Sequence, residues 1–93
     1  MRIIYRLHAR QQMAERGFSP DDVRGALAVG KAIEERHHEG RPYPTRLMLW
    51  WSGERPLHVL VADDPSGIHY VITVYEPTLD RWQPDFSTRR ERP

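Results

Sequence analysis

Cysteine is absent from the chain, which removes disulfides, thiolate metal ligands and a cysteine nucleophile together. That absence agrees with a reducing cytoplasm, where stability has to come from packing. Long hydrophobic runs are missing as well. The apolar stretches are a few residues each, far short of the about 20 that a membrane-crossing helix needs. The opening Met1-Arg2-Ile3-Ile4-Tyr5-Arg6 has no apolar core and no small-residue cleavage site, so a cytoplasmic protein with no membrane partner is expected. Neither a glycine-rich phosphate loop, a nucleophile elbow nor a metalloprotease motif is present. Lysine is nearly missing: of 14 basic residues only Lys31 is lysine, and the rest are arginine.

Ninety-three residues make a single domain, 1–93, with one modest core. The net charge of +1 says little, but the kind and placement of cation say more. Arginine offers a planar fork to phosphate and stacks on aromatic rings, which lysine does poorly. A GC-rich coding sequence accounts for the excess of arginine equally well. Arg2, Arg6, Arg10 and Arg16 crowd the start, and Arg81, Arg89, Arg90 and Arg92 load the end. With the acidic residues in between, the two ends form the electrostatic footprint for an anionic partner.

Residues 3–16 read as a helix, with Ile3, Ile4, Leu7, Ala9 and Met13 roughly on one side and Gly17 as the stop. Ser19-Pro20-Asp21-Asp22 is a helix start: a cap, a proline for the first turn, and acids at the positive end of the dipole. Val23, Ala26, Leu27 and Val29 stripe the second helix, which Gly30 ends. Residues 32–37 read as a polar edge strand, and 47–51, 57–62 and 68–75 as three clear strands joined by tight turns at Gly53 and Gly67. The fold class is therefore α+β, with two N-terminal helices packed on one face of a three- to four-stranded antiparallel β-meander. If both turns are of the tightest kind, Leu49 faces His58, His58 faces Thr73 and Leu60 faces Val71. Met48, Trp50, Leu57, Val59, Val61, Tyr70, Ile72 and Val74 then meet the helices. The mixed, aromatic face with Leu47, Leu49, Trp51, His58, Leu60, Val71, Thr73 and Tyr75 is left for function. Beyond about residue 77 the chain reads as an irregular basic tail, docked through Trp82 and Phe86 and frayed over 88–93.

Several residues are chemically capable. His8, Gln12 and Arg16, spaced i, i+4, i+8, share a polar helix stripe. A histidine that moves protons near neutral pH, beside a fixed cation, suits phosphoryl chemistry; most such stripes are simply solvated. His58 lies within an apolar strand, where a histidine is usually a hydrogen-bonded structural group. With Tyr75 diagonally adjacent it can also serve as acid and base at an RNA phosphate or as a stacking platform. His37-His38-Glu39 does not make a metal site, because neighbouring strand side chains point to opposite faces. No metal and no cofactor are expected.

His8-Ala9, Met13-Ala14-Glu15-Arg16-Gly17-Phe18-Ser19, Asp22-Val23, Pro56-Leu57-His58-Val59 and Ile72-Thr73-Val74-Tyr75-Glu76-Pro77 resemble the bacterial family called domain of unknown function 4258, over about residues 3 to 77. That family looks related to the RelE and BrnT toxins. The resemblance implies a RelE-like toxin of a toxin–antitoxin pair, cleaving RNA without metal by attack of the ribose 2′-hydroxyl on the adjacent phosphate. It implies His8, Arg16, His58 and Tyr75 as catalytic residues, with Arg10, Gln12, Arg81 and Trp82 contacting RNA. Implied partners are RNA, including ribosome-bound mRNA, and a cognate antitoxin. Gln12 stands where relatives often carry an arginine. A non-catalytic RNA- or protein-binding module, or a homodimer formed through Leu47, Leu49 and Trp51, fits the same residues.

Overall fold

Ile3, Ile4 and Tyr5 are β-branched or aromatic, and such residues favour a pleated, half-buried strand over a helix. In the computed structural model, which describes all residues except 38, 41, 92 and 93, they form one. β1 (Arg2–Tyr5) precedes α1 (Leu7–Arg16) and α2 (Pro20–Val29). β2 (Lys31–Arg36), β3 (Thr45–Ser52), β4 (Arg55–Asp63) and β5 (Ile68–Tyr75) follow. The strands make one sheet in the order β1-β5-β4-β3-β2. β1 runs parallel to β5, and the other pairs are antiparallel. The expected all-antiparallel meander of three to four strands is thus corrected to a mixed sheet of five. The helical reading of residues 3–5 fails because an i, i+1, i+4 apolar pattern is shared by a short strand running into a helix.

Local chemistry sets the helices. Gly17 ends α1 in the left-handed conformation, φ 73°. Ser19 and Asp22 cap α2 reciprocally: the Asp22 amide donates to Ser19 Oγ at 3.2 Å, and the Ser19 amide to Asp22 Oδ2 at 2.8 Å. α1 lies over β5, and α2 over β3 and β4, on one face of the sheet. Ala9, Met13, Val23, Ala26 and Leu27 bury there against Met48, Leu57, Val59, Val61, Val71 and Val74.

The first hairpin has the expected two-residue turn, and Leu49 pairs with His58. The second does not. Asp64 closes a three-residue loop, its amide donating to the Ile68 carbonyl, and its carboxylate accepts from the Ser66 and Ile68 amides. Farther on, the pairing shifts between Leu60 and Val61, so that Ile72 is the extra residue of a bulge. His58 therefore faces Tyr75 and Leu60 faces Thr73. Val71, expected on the functional face, joins the core under the helices, while Tyr70 turns to the opposite face and stacks on Tyr43 at 6.3 Å between ring centroids.

That opposite face is not open along its whole length. The tail folds back over it, burying Trp82 to 2% exposure. Thr88–Arg90, expected to fray, are held: the Gln83 amide donates to the Thr88 carbonyl, Trp82 bridges Arg89 in antiparallel fashion, and the Arg90 amide donates to the Arg81 carbonyl.

Gly25 lies where α2 meets the sheet, and a Cβ there would sit 2.8 Å from the indole Nε1 of Trp50. Alanine gains about 1 kcal/mol in helix propensity, but overpacking of this kind costs roughly 1–3 kcal/mol. Gly25→Ala is expected to lower Tm by several degrees in thermal unfolding, against the direction propensity alone predicts.

Candidate functional site

His58 sits at the centre of β4 with no accessible surface. Its Nε2 lies 2.7 Å from the Phe86 carbonyl oxygen, which can only accept, so Nε2 carries the proton. Nδ1 is then an acceptor, and the Tyr75 hydroxyl donates to it at 3.0 Å. Both ring nitrogens are thus matched to the neutral imidazole. Burial pushes the His58 pKa below its ordinary value. The Phe86 carbonyl and the Glu34 carboxylate pull it back, and Arg89 adds to the lowering. Burial likewise raises the Tyr75 pKa, so the phenol keeps its proton.

The tail supplies the rest of the surroundings. Trp82 meets the His58 ring edge-on, with centroids 4.5 Å apart, and the Arg89 guanidinium lies 4.7 Å above the indole. Arg89 grips Glu34 with two hydrogen bonds, at 2.6 and 3.1 Å, and this pairing holds the Glu34 carboxyl below its usual range. Phe86 stands at φ 53°, a conformation that a side-chain-bearing residue rarely adopts. In return its carbonyl reaches His58 and its ring packs on Trp51.

Beside this pair lies a hollow of about 270 Å³ walled by Glu34, Arg36 and Arg89, with Leu60, Thr73 and Tyr75 among its floor residues. A second, of about 650 Å³, is lined by Arg6, His8, Tyr43, Tyr70 and Ile72 among others. Thr45 borders both, so the two hollows adjoin as a trough whose lining includes Arg36 and Arg89 in the smaller part, Arg6 and His8 in the larger, and three tyrosines.

The expected site residues divide accordingly. His58 and Tyr75 come together, and His8 enters the second hollow. Gln12 instead uses its carbonyl oxygen to accept the Val74 amide at 2.8 Å, in the stretch of β5 beyond the end of β1. Arg16 is exposed at the end of α1, outside both hollows, and its backbone carbonyl accepts from Arg55 at 2.7 Å. Arg10 lines a separate hollow with Met13 and Phe18. Arg81 is exposed on the tail, whereas Trp82 is buried with its ring engaged by His58 and Arg89. His38, of the His37–Glu39 run, lies outside the described residues.

Glu34, Arg36 and Arg89 were missed as site residues. Strand alternation puts the first two on one face of β2, a signal legible in the string; Arg89 needed the path of the tail. Tyr43 was hidden by the loop before β3, and Tyr70 by the three-residue turn that shifts its register by one.

The neutral state of His58 has a consequence for stability. The unfolded chain takes up a proton at this histidine near pH 6.5, and the folded chain refuses it until lower pH. The stability that burial of the neutral ring contributes is therefore present above about pH 6.5 and is lost as pH falls from there through the lowered folded value. Urea unfolding between about pH 7 and 5.5 should show stability declining with acid, and His58→Gln should flatten that decline. Trp82→Ala is expected to cost about 3–5 kcal/mol and to expose His58 to solvent exchange.

Among known families, a model described as Domain of unknown function (DUF4258) matches residues 5–76. No curated protein and no solved structure matches the chain. The matched stretch runs from the last residue of β1 to the Glu76 that follows β5 and takes in both helices, His58 and Tyr75, and it covers most of the chain: the protein belongs to the DUF4258 family.

Proposed function

We propose that the protein binds single-stranded RNA along the trough of its second sheet face, as a RelE-like domain acting within a toxin–antitoxin pair in the cytoplasm. The observation that carries this reading is the trough itself. Arg36, Arg89 and Tyr75 line its smaller hollow, and Arg6, His8, Tyr43 and Tyr70 line the larger one beside it. Guanidinium groups neutralise phosphates while tyrosine rings stack on bases, the combination that single-strand binding requires. Among the described residues no helix is long and apolar enough to cross a membrane.

A second observation favours cleavage. Tyr75 already donates to His58 Nδ1 at 3.0 Å, which forms a ready proton relay. The ribose 2′-hydroxyl gives its proton to the Tyr75 oxygen as Tyr75 passes its own to His58. The 2′-oxygen bonds to phosphorus, and the bond from phosphorus to the 5′-oxygen breaks. His8 protonates the leaving 5′-oxygen, yielding a 2′,3′-cyclic phosphate and a 5′-hydroxyl. Glu34 and the Phe86 carbonyl stabilise the imidazolium, and Arg36 and Arg89 balance charge on the phosphorane. In this scheme Arg16, Arg10 and Arg81 act at most as outer contacts to the strand.

Labelled single-stranded RNA incubated in EDTA tests both readings. Wild type should give discrete fragments ending in cyclic phosphate, lost in Tyr75→Phe and His8→Ala, while both variants still bind. Binding affinity should fall with salt by a slope of about −0.7 per neutralised phosphate, with Arg36→Ala removing about one such unit. Salt-dependent binding without fragments would retain the RNA-binding reading and end the ribonuclease reading. Absence of binding at low salt would end both.

A further inference from the structure

Natural sheets protect their edges against other chains with charge, bulges or cover, and the two edges of this sheet differ in that respect. β2 has all three devices. It begins on Lys31 and carries Glu34, Glu35 and Arg36 along its length. Its pairing is interrupted between Ala32 and Glu34, and Arg89 of the tail clasps Glu34.

β1 has no bulge: Arg2–Tyr5 pair residue for residue with Ile68–Val71. The Arg6 amide turns inward to the Val71 carbonyl, so by strand alternation the amide and carbonyl groups of Ile3 and Tyr5 point away from β5. The segment that carries this edge holds three exposed apolar side chains: Met1 is 58% exposed, Ile4 45% and Leu7 71%. Arg2 and Arg6 alternate with them and Arg10 follows, and the first acidic residue of the chain is Glu15. Among the described residues none of these three arginines enters an ion pair.

We propose that β1 is a docking edge for an extended, acidic segment of a second polypeptide, which adds to the sheet as a sixth strand. Main-chain hydrogen bonds to Ile3 and Tyr5 give affinity without sequence, in the manner of strand addition. Ile4 and Leu7 cover alternate apolar side chains of the incoming strand, and Arg2, Arg6 and Arg10 select carboxylates. A second copy of this chain is disfavoured as occupant, because pairing β1 with itself opposes arginine to arginine. The edge adjoins the RNA trough and shares Arg6 with it, whereas Ile3 and Tyr5 line neither of its hollows.

The probe is a capped hexapeptide of alternating glutamate and valine, with a lysine–valine peptide as its charge control. Amide exchange followed by NMR on the full chain should show Ile3 and Tyr5 slowed several-fold by the acidic peptide and not by the basic one. N-methylation of the acidic peptide on one set of alternate residues should abolish the effect, and on the other set should leave it. Ile4→Glu, at an exposed position, should remove binding without changing Tm. Equal effects of the two charged peptides, protection confined to the trough, or slow exchange of Ile3 and Tyr5 through self-association without peptide would each overturn the proposal.

Discussion

A histidine buried in its neutral form is the constraint on which the second face of this sheet depends. An imidazole in an apolar layer needs a partner for each nitrogen, since an unsatisfied buried group costs about 1–3 kcal/mol. β4 cannot supply these partners from its neighbours in sequence, which are Leu57 and Val59. Tyr75 comes from β5 by register, and the Phe86 carbonyl comes from the tail. The bulge at Ile72 is what brings Tyr75 opposite His58; without it the register set by the three-residue turn would place Val74 there. The left-handed backbone at Phe86, the burial of Trp82 and the return of Arg89 to Glu34 then follow as one arrangement. Each serves to close a lid whose carbonyl must reach a single nitrogen.

A second tie explains residues whose chemistry first suggested catalysis. Arg55 donates to the Arg16 carbonyl at 2.7 Å and to Glu76 at 2.9 Å, and its guanidinium lies 4.3 Å over the Phe18 ring. It thereby links the Glu15-Arg16-Gly17-Phe18 turn to the Glu76 that follows β5. Those are two of the segments that carry the family resemblance, and their contacts here are architectural. Gln12, on the same helix stripe, caps an amide of β5. A polar helix stripe can thus hold a fold together residue by residue while only one of its members, His8, reaches a hollow.

Element type was legible wherever one local signal dominated. Ser19-Pro20-Asp21-Asp22 specified a capped helix start, Gly17 its predecessor's end, and Gly53 a two-residue turn with the correct pairing of β3 and β4. The failures share a cause: they were decided by nonlocal pairing. β1 is a strand because β5 offers it a parallel edge, and nothing within residues 2–5 announces that partner. The bulge at Ile72 is a matter of how β5 pairs with β4 along their whole length. The covering of His58 depends on a tail whose local composition reads as irregular.

The family match ends at residue 76, whereas the groups that complete the surroundings of His58 come after it. The matched part provides the imidazole, the phenol, Glu34 and Arg36. The tail provides the acceptor that fixes the tautomer and one of the two cations of the smaller hollow. A chain holding the matched part alone would leave His58 Nε2 facing solvent and Glu34 without its bidentate partner. The ring would then take up protons near its ordinary pKa, and the hollow would gain negative charge. The chemistry of this face is consequently set by the junction between the shared domain and the segment that follows it. Swapping tails between relatives would therefore alter the protonation and charge of the site while leaving the strand that bears His58 in place.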